Sequence, residues 1–154
     1  MVDKPKIKFL FSKRYLYPSI VILLLIGSSY VYFRTNISFR EVVERTVYCS
    51  RQPSQAEIVK WITKYDLKTI INLRGHTGVE TAEEIAIAEK MNVRHISIHW
   101  SAYSMPPSYL LSKFIREMET CEKPMLIHCQ SGIDRSGTAA ALSAMAVGRR
   151  LLQG

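Results

Sequence analysis

The sequence predicts an α/β domain with a central, mainly parallel sheet flanked by helices, preceded by one N-terminal transmembrane helix. Three observations predict it. Short apolar runs alternate with amphipathic stretches from residue 46 to residue 150, the pattern of strands joined by crossover helices. The 154 residues and 47% hydrophobic content suit one compact domain, not a disordered chain. A stretch of nineteen uncharged residues, YLYPSIVILLLIGSSYVYF, stands apart from that alternation between Arg14 and Arg34.

Taken in order, residues 1–14 form a basic tail with Lys4, Lys6, Lys8, Lys13 and Arg14. The uncharged stretch, residues 15–33, would span about 28 Å as a helix, close to the hydrocarbon thickness of a bilayer. Tyrosines near both ends stand where interfacial anchors belong. A single-pass signal anchor is the leading reading. A cleaved signal peptide, with Gly27 and Ser29 as small residues of a cleavage site, is one alternative, and a buried core helix is another. The positive-inside rule expects the N-terminus in the cytoplasm and the domain on the outer or periplasmic side, against the pull of Arg34, Arg40 and Arg45.

Residues 34–45 are polar and read as a linker. Residues 46–154 then alternate. Thr46–Cys49 is a short strand. Ser54–Tyr65 is a helix opened by a capping box of Ser54 and Glu57. Thr69–Leu73 is a buried strand closed by Arg74 and Gly75. Val79–Met91 is an Ala- and Glu-rich helix. Val93–Ile98 is a strand in which either alternate set could face inward. HWSAYSMPP is a loop. Ser108–Cys121 is a helix with Leu110, Leu111, Phe114, Ile115 and Met118 on one face. Met125–His128 is a strand, and Ser136–Val147 an Ala-rich helix. The chain closes soon afterwards, at Arg149–Gly154, which reads as a minimal or a C-terminally truncated domain.

The formal charge of +8 is uneven: six of the 21 basic residues but one of the 13 acids fall within residues 1–34. The basicity therefore belongs largely to the tail, and with no recognition motif the chain is not expected to bind nucleic acid. Cys49, Cys121 and Cys129 are too few and odd for a disulfide framework, and no pair has zinc spacing. Neither a metal nor a cofactor is expected.

The chemistry concentrates in MLIHCQSGIDRSG, Met125–Gly137. In parallel sheets, ligand sites lie beyond the C-terminal ends of the strands, where Cys129 and Arg74 both stand. After Cys129 come five residues, then Arg135, and a helix starts at once. A helix N-terminus offers unpaired N–H groups and partial positive charge, and a loop wrapped around it adds more, making an anion cradle. Gly132 supplies the backbone freedom a tight cradle requires. Arg135 can grip two oxyanion atoms in parallel. A cysteine within this field should be a thiolate near neutral pH, poised for in-line attack on a bound phosphate and a phosphocysteine intermediate.

His128-Cys129-Gln130-Ser131-Gly132-Ile133-Asp134-Arg135-Ser136 resembles the HCxxGxxR[ST] signature of the cysteine-dependent protein tyrosine and dual-specificity phosphatases. VYCSRQPS, TIINLRG and PMLIHCQSGIDRSG also resemble the small dual-specificity-like enzymes of bacterial and plant–fungal type, in motif order over residues 46–150. The resemblance implies Cys129 as nucleophile and Arg135 as phosphate ligand and transition-state stabiliser. It implies the backbone of Gln130, Ser131, Gly132, Ile133, Asp134 and Arg135 as the phosphate cradle. Ser136 would assist departure of the sulfur, and His128 would brace the loop.

The chain departs from that family in one respect. The family's acid is usually an aspartate some thirty residues before the cysteine. Trp100 is in place here, but Ser101 and Ala102 follow, and no Asp or Glu occurs between Glu89 and Glu117. Asp134 is the first substitute, as in the similar loops of myotubularin-type lipid phosphatases; its alternative role is a cap or ion pair at the helix start. His99 is the second. Arg74 is a candidate supporting contact to phosphate or an acidic headgroup, or a plain surface residue. Cys49 and Cys121 read as small buried residues or, by fold analogy, as partners for a reversible disulfide with Cys129, Cys49 preferred. The expected function is a membrane-anchored phosphatase acting on phosphotyrosine, a phosphoprotein or a phosphorylated lipid headgroup. The alternative is a phosphate-binding adaptor with weak turnover.

Overall fold

The computed structural model of the chain describes residues 13–75 and 78–153, with side chains described for 16–32, 39–75 and 78–147. Most of the expected basic tail, residues 1–12, lies outside the described residues. The chain divides into two units between Thr35 and Asn36.

In the first unit the uncharged stretch forms part of one helix, α1 (Lys13–Ser38). From Ile20 to Ile26 its side chains are 45–67% exposed. Among the described residues, no helix is long and apolar enough to cross a membrane.

The second unit runs β1 (Phe39–Val43), β2 (Val47–Ser50), α2 (Gln55–Tyr65), β3 (Thr69–Asn72), α3 (Val79–Lys90), β4 (Arg94–Ser97), α4 (Ser108–Thr120), β5 (Met125–His128) and α5 (Asp134–Gln153). The sheet order is β1-β2-β5-β3-β4. β2, β5, β3 and β4 are parallel, and β1 pairs antiparallel with β2. The mainly parallel sheet is therefore as expected. The linker is not: residues 39–43, read as part of it, are an edge strand. Its outward polar residues, Arg40 and Glu41, are what an edge strand tolerates, and they hide it in the sequence.

Strand parity organises the two layers, because successive side chains point to opposite faces. Val47, Cys49, Ile71, Leu73, Met125, Ile127 and Cys129 join one core with Phe114 and Met118 of α4 and Ala139 and Ala146 of α5. Tyr48, Ile70 and Leu126 join the other with Ile58, Trp61 and Ile62 of α2 and Ala88 of α3. Around β4 both alternate sets have buried members: Ile96 and Ile98 join the first core and Val93 the second.

The helix starts follow the sequence. Ser54 Oγ accepts the Glu57 N–H, and the Glu57 carboxylate accepts the Ser54 N–H at 2.9 Å, so the capping box is complete. α5 begins two residues earlier than expected: the Gly137 N–H reaches the Ile133 carbonyl at 2.8 Å, which brings Asp134 and Arg135 into the first turn.

Candidate active site

The central strands end level. Ser50, His128, Asn72 and Ser97 stand in register across β2, β5, β3 and β4. The segments leaving them are tied together. The Leu73 N–H donates to the His128 carbonyl at 2.9 Å, the Gln52 N–H to the Gln130 carbonyl at 3.2 Å, and the Trp100 N–H to the Leu73 carbonyl at 3.2 Å. The cysteine loop is thus held on both flanks by backbone bonds.

Cys129 is 1% exposed. Its Sγ accepts the Gly132 N–H at 3.2 Å and stands 3.4 Å from Ser136 Oγ. Burial pushes the Cys129 thiol up. The Ser136 hydroxyl and N–H, the Gly132 N–H and the Arg135 charge together outweigh it, and the thiol lies below the usual cysteine range. Gly132 is obligatory in this geometry. Its φ is +79°, and a Cβ there would stand 2.7 Å from the Arg51 nitrogen.

Arg135 is half-buried, and its Nη1 donates to the carbonyls of Leu73 at 3.5 Å and Trp100 at 3.3 Å. Nε and Nη2 have no partner among the described residues and are available to an anion. Trp100 is buried at 1%, with its ring edge-on to Phe114 at 5.0 Å. It therefore anchors the start of a loop whose next residues are exposed. An open cleft of about 250 Å³ lies between this loop, Trp100–Pro106, and the first turns of α5, with Asp134, Arg135 and Thr138 on its far wall. Asp134 is exposed, and its carboxylate has no ion pair or hydrogen bond among the described residues. Among the described residues it is the one carboxylate lining the cleft. Ile133 is 57% exposed at the loop's tip.

Other candidates fall differently. His99 turns its Nδ1 to the Arg74 carbonyl at 2.9 Å and packs against Gly75, and it does not line the cleft. Arg74 is committed through Nη1 to Gln52 Oε1 and Glu80 Oε2, both at 2.7 Å. All three cysteines are free. Cys49, fully buried, bonds the Ser136 carbonyl at 3.7 Å and so shares a neighbour with Cys129. Burial pushes its thiol up to about 12, with the nearby Arg40 charge opposing and Cys129 adding to the rise. Cys121 lies against Met125 at the start of β5, about 13 Å along the strand from Cys129, too far for a disulfide with it.

One part of the site was invisible in the sequence. His128 points to the face opposite Cys129, where its Nε2 meets Glu84 Oε1 at 2.8 Å. His95 Nε2 meets the same oxygen at 2.8 Å, and Gln52 Nε2 donates to Glu84 Oε2 at 2.7 Å. Glu84 is 3% exposed. Burial raises its pKa, but the hydrogen bonds and charge of His128 and His95 overcome this and hold the carboxyl at about 2. The available signal was a glutamate on the inward stripe of α3, in line with Thr81 and Ala88.

The comparisons fit this geometry. Residues 30–150 match a family described as DSP-PTPase phosphatase fused to NAD+ kinase. No curated protein matches the sequence. Among solved structures, the core catalytic domain of the PP-IP phosphatase Siw14 from S. cerevisiae is similar at 25% identity and a TM-score of 0.59. The match covers 66% of this chain and 61% of that one, so the chain spans under two thirds of that relative. A TpbA variant from P. aeruginosa in complex with pTyr is similar at 22% identity and a TM-score of 0.59, covering 73% of this chain and 65% of that one. At that identity the likeness speaks for the fold alone. With the family model spanning most of the domain and the cysteine loop intact within it, the chain belongs to the DSP-PTPase phosphatase family, of the cysteine-dependent dual-specificity type.

Proposed function

We propose that the chain hydrolyses phosphomonoesters through a phosphocysteine intermediate. The observation that carries this is the buried Cys129 sulfur at the first turn of α5, with the Gly132 N–H and the Ser136 hydroxyl on it and its pKa lowered. A phosphate seated over the loop would take the N–H groups of residues 130–135 and the free edge of Arg135 on its oxygens. The sulfur attacks phosphorus, the P–O bond to the leaving group breaks, and Asp134 delivers a proton to the departing oxygen. Water then attacks phosphorus and gives its proton to the Asp134 carboxylate. The P–S bond breaks, and Ser136 hydrogen-bonds the departing thiolate. His128 and Arg74 support the loop from behind.

The substrate we favour is a phosphotyrosine side chain or a phosphorylated lipid headgroup. Tyr103 and Met105, 100% and 78% exposed in the cleft, would suit an apolar group beside the phosphate. One structural neighbour is described as a PP-IP phosphatase and another is in complex with pTyr, which makes phosphate esters of these kinds the compounds to test first. We further propose that residues 15–33 anchor the chain in a membrane, N-terminus cytoplasmic and domain outside. The support is the uncharged run and its exposed apolar side chains. Release of the full chain from vesicles by alkaline carbonate would refute the anchor.

A second reading is favoured by one feature: the loop from His99 to Pro107 holds no carboxylate. The chain would then bind phosphate and turn it over poorly. Hydrolysis of p-nitrophenyl phosphate in EDTA, with Cys129→Ser and Asp134→Asn alongside, separates the two. The phosphatase reading expects turnover that Cys129→Ser abolishes, EDTA leaves intact and Asp134→Asn lowers. Wild-type turnover no higher than Cys129→Ser, with vanadate still bound, would leave the binding reading.

A further inference from the structure

Glu84 touches no atom of the cysteine loop's reactive face, yet two of its three bonds, those to His128 and Gln52, tie it to that loop's two flanks. With a pKa of about 2 its carboxyl is a pure acceptor, so both imidazoles on Oε1 must donate through Nε2. That fixes the ring rotation of His128, the residue that leads directly into Cys129. Through Oε2, Glu84 also holds Gln52. Gln52 is the residue whose backbone N–H supports the Gln130 carbonyl and whose side chain caps Arg74. Both arms end on the cysteine loop, one at its entry and one just past the thiol.

We propose that Glu84 is a positioning residue for the thiol. Its buried carboxylate locks His128 and Gln52, and thereby keeps the Gly132 N–H and the Ser136 hydroxyl aimed at a sulfur on the other face of the sheet. This rests on Cys129 being the reacting thiol. The groups facing Glu84 are His95 from β4, His128 from β5 and Gln52 from the segment before α2. Those facing Cys129 are Ser136 and the Arg135 charge from α5, with Cys49 from β2.

Glu84→Gln tests it. An amide has one acceptor oxygen, so at least one of the three donors must face an NH₂ group. The readout is the pH dependence of Cys129 alkylation by iodoacetamide, followed by mass spectrometry on the full chain. Loosening one hydrogen bond to the thiolate should raise the midpoint by about one pH unit. Turnover of p-nitrophenyl phosphate should fall by about 10–100-fold. His95→Gln is the control: it keeps an N–H near the same place but contacts no part of the loop, so its midpoint should stay at the wild-type value. Gln52→Ala interrupts the second arm without emptying the core, and should also raise the midpoint. Wild-type midpoints in Glu84→Gln, or in Gln52→Ala should Glu84→Gln fail to fold, would overturn the proposal. So would an equal shift in His95→Gln, which would mark the cluster as plain core packing. Alkylation reads the thiol even where no turnover occurs, so failure of the phosphatase reading would show separately.

Discussion

Replacing Gly132 with alanine puts the geometry of the cysteine loop under direct strain. The φ of +79° already disfavours an L side chain, by about 1–2 kcal/mol. The added Cβ would meet the Arg51 nitrogen at 2.7 Å and the Arg51 Cα and Ser50 carbonyl carbon at 3.1 Å, all backbone atoms of the segment leaving β2. None is the end of a flexible side chain, so the loop itself must retreat. Restoring an ordinary 3.4 Å contact takes a shift of about 0.7 Å. That shift moves the Gly132 N–H, now 3.2 Å from the Cys129 sulfur, and the neighbouring N–H groups that would receive phosphate. Such a displacement should lower kcat/KM by about 100-fold and raise the Cys129 alkylation midpoint by about one pH unit. Stability should fall by about 2–3 kcal/mol, read as a lower urea midpoint at unchanged slope. The assay pairs p-nitrophenyl phosphate turnover with urea unfolding of the same preparation. Wild-type turnover together with wild-type stability would refute both the packing of Gly132 on Arg51 and the role of its N–H.

The two inner-face cysteines should separate sharply: at pH 7 iodoacetamide should label Cys129 and leave Cys49, whose thiol is pushed up to about 12, untouched, and equal labelling in the native protein would contradict this. Glu84 has a folded-state pKa below its unfolded one, so its contribution to stability is complete above about pH 4.5 and is lost as pH falls towards about 2. Urea midpoints measured across that window should drop in wild type and flatten in Glu84→Gln; a parallel pair of curves would remove Glu84 from the acid transition. Ser54→Ala opens the capping box of α2 and should cost about 1 kcal/mol without changing turnover, since α2 contributes no side chain to the cleft.

What was legible in the sequence was local. The strand-to-helix seam at Cys129 could be read because an apolar run, a glycine and a helix start lie within thirteen residues of one another. The capping box at Ser54 could be read because its two partners are three residues apart. β1 could not, since FREVV shows its strand character only beside Val47–Ser50, and its charged residues face outward. Glu84 could not, because a buried carboxylate makes sense only with two histidines from strands 11 and 44 residues away. The absence of the usual acid was plain in the sequence. The structure adds that Asp134 stands on the opposite wall of the cleft from the acid-less loop.

The strand that carries Cys129 is the last made and the most central. β2 and β3 do not pair with each other, and each reaches the sheet only through β5. A nascent chain that has not yet emerged beyond Met125 therefore holds two separate ribbons, β1–β2 and β3–β4, each with a hydrogen-bonding edge left open. β5 closes the sheet, but the donors to the thiol, the Gly132 N–H and the Ser136 hydroxyl, follow it in the chain. The site is therefore completed after the sheet, by the loop and the first turn of α5.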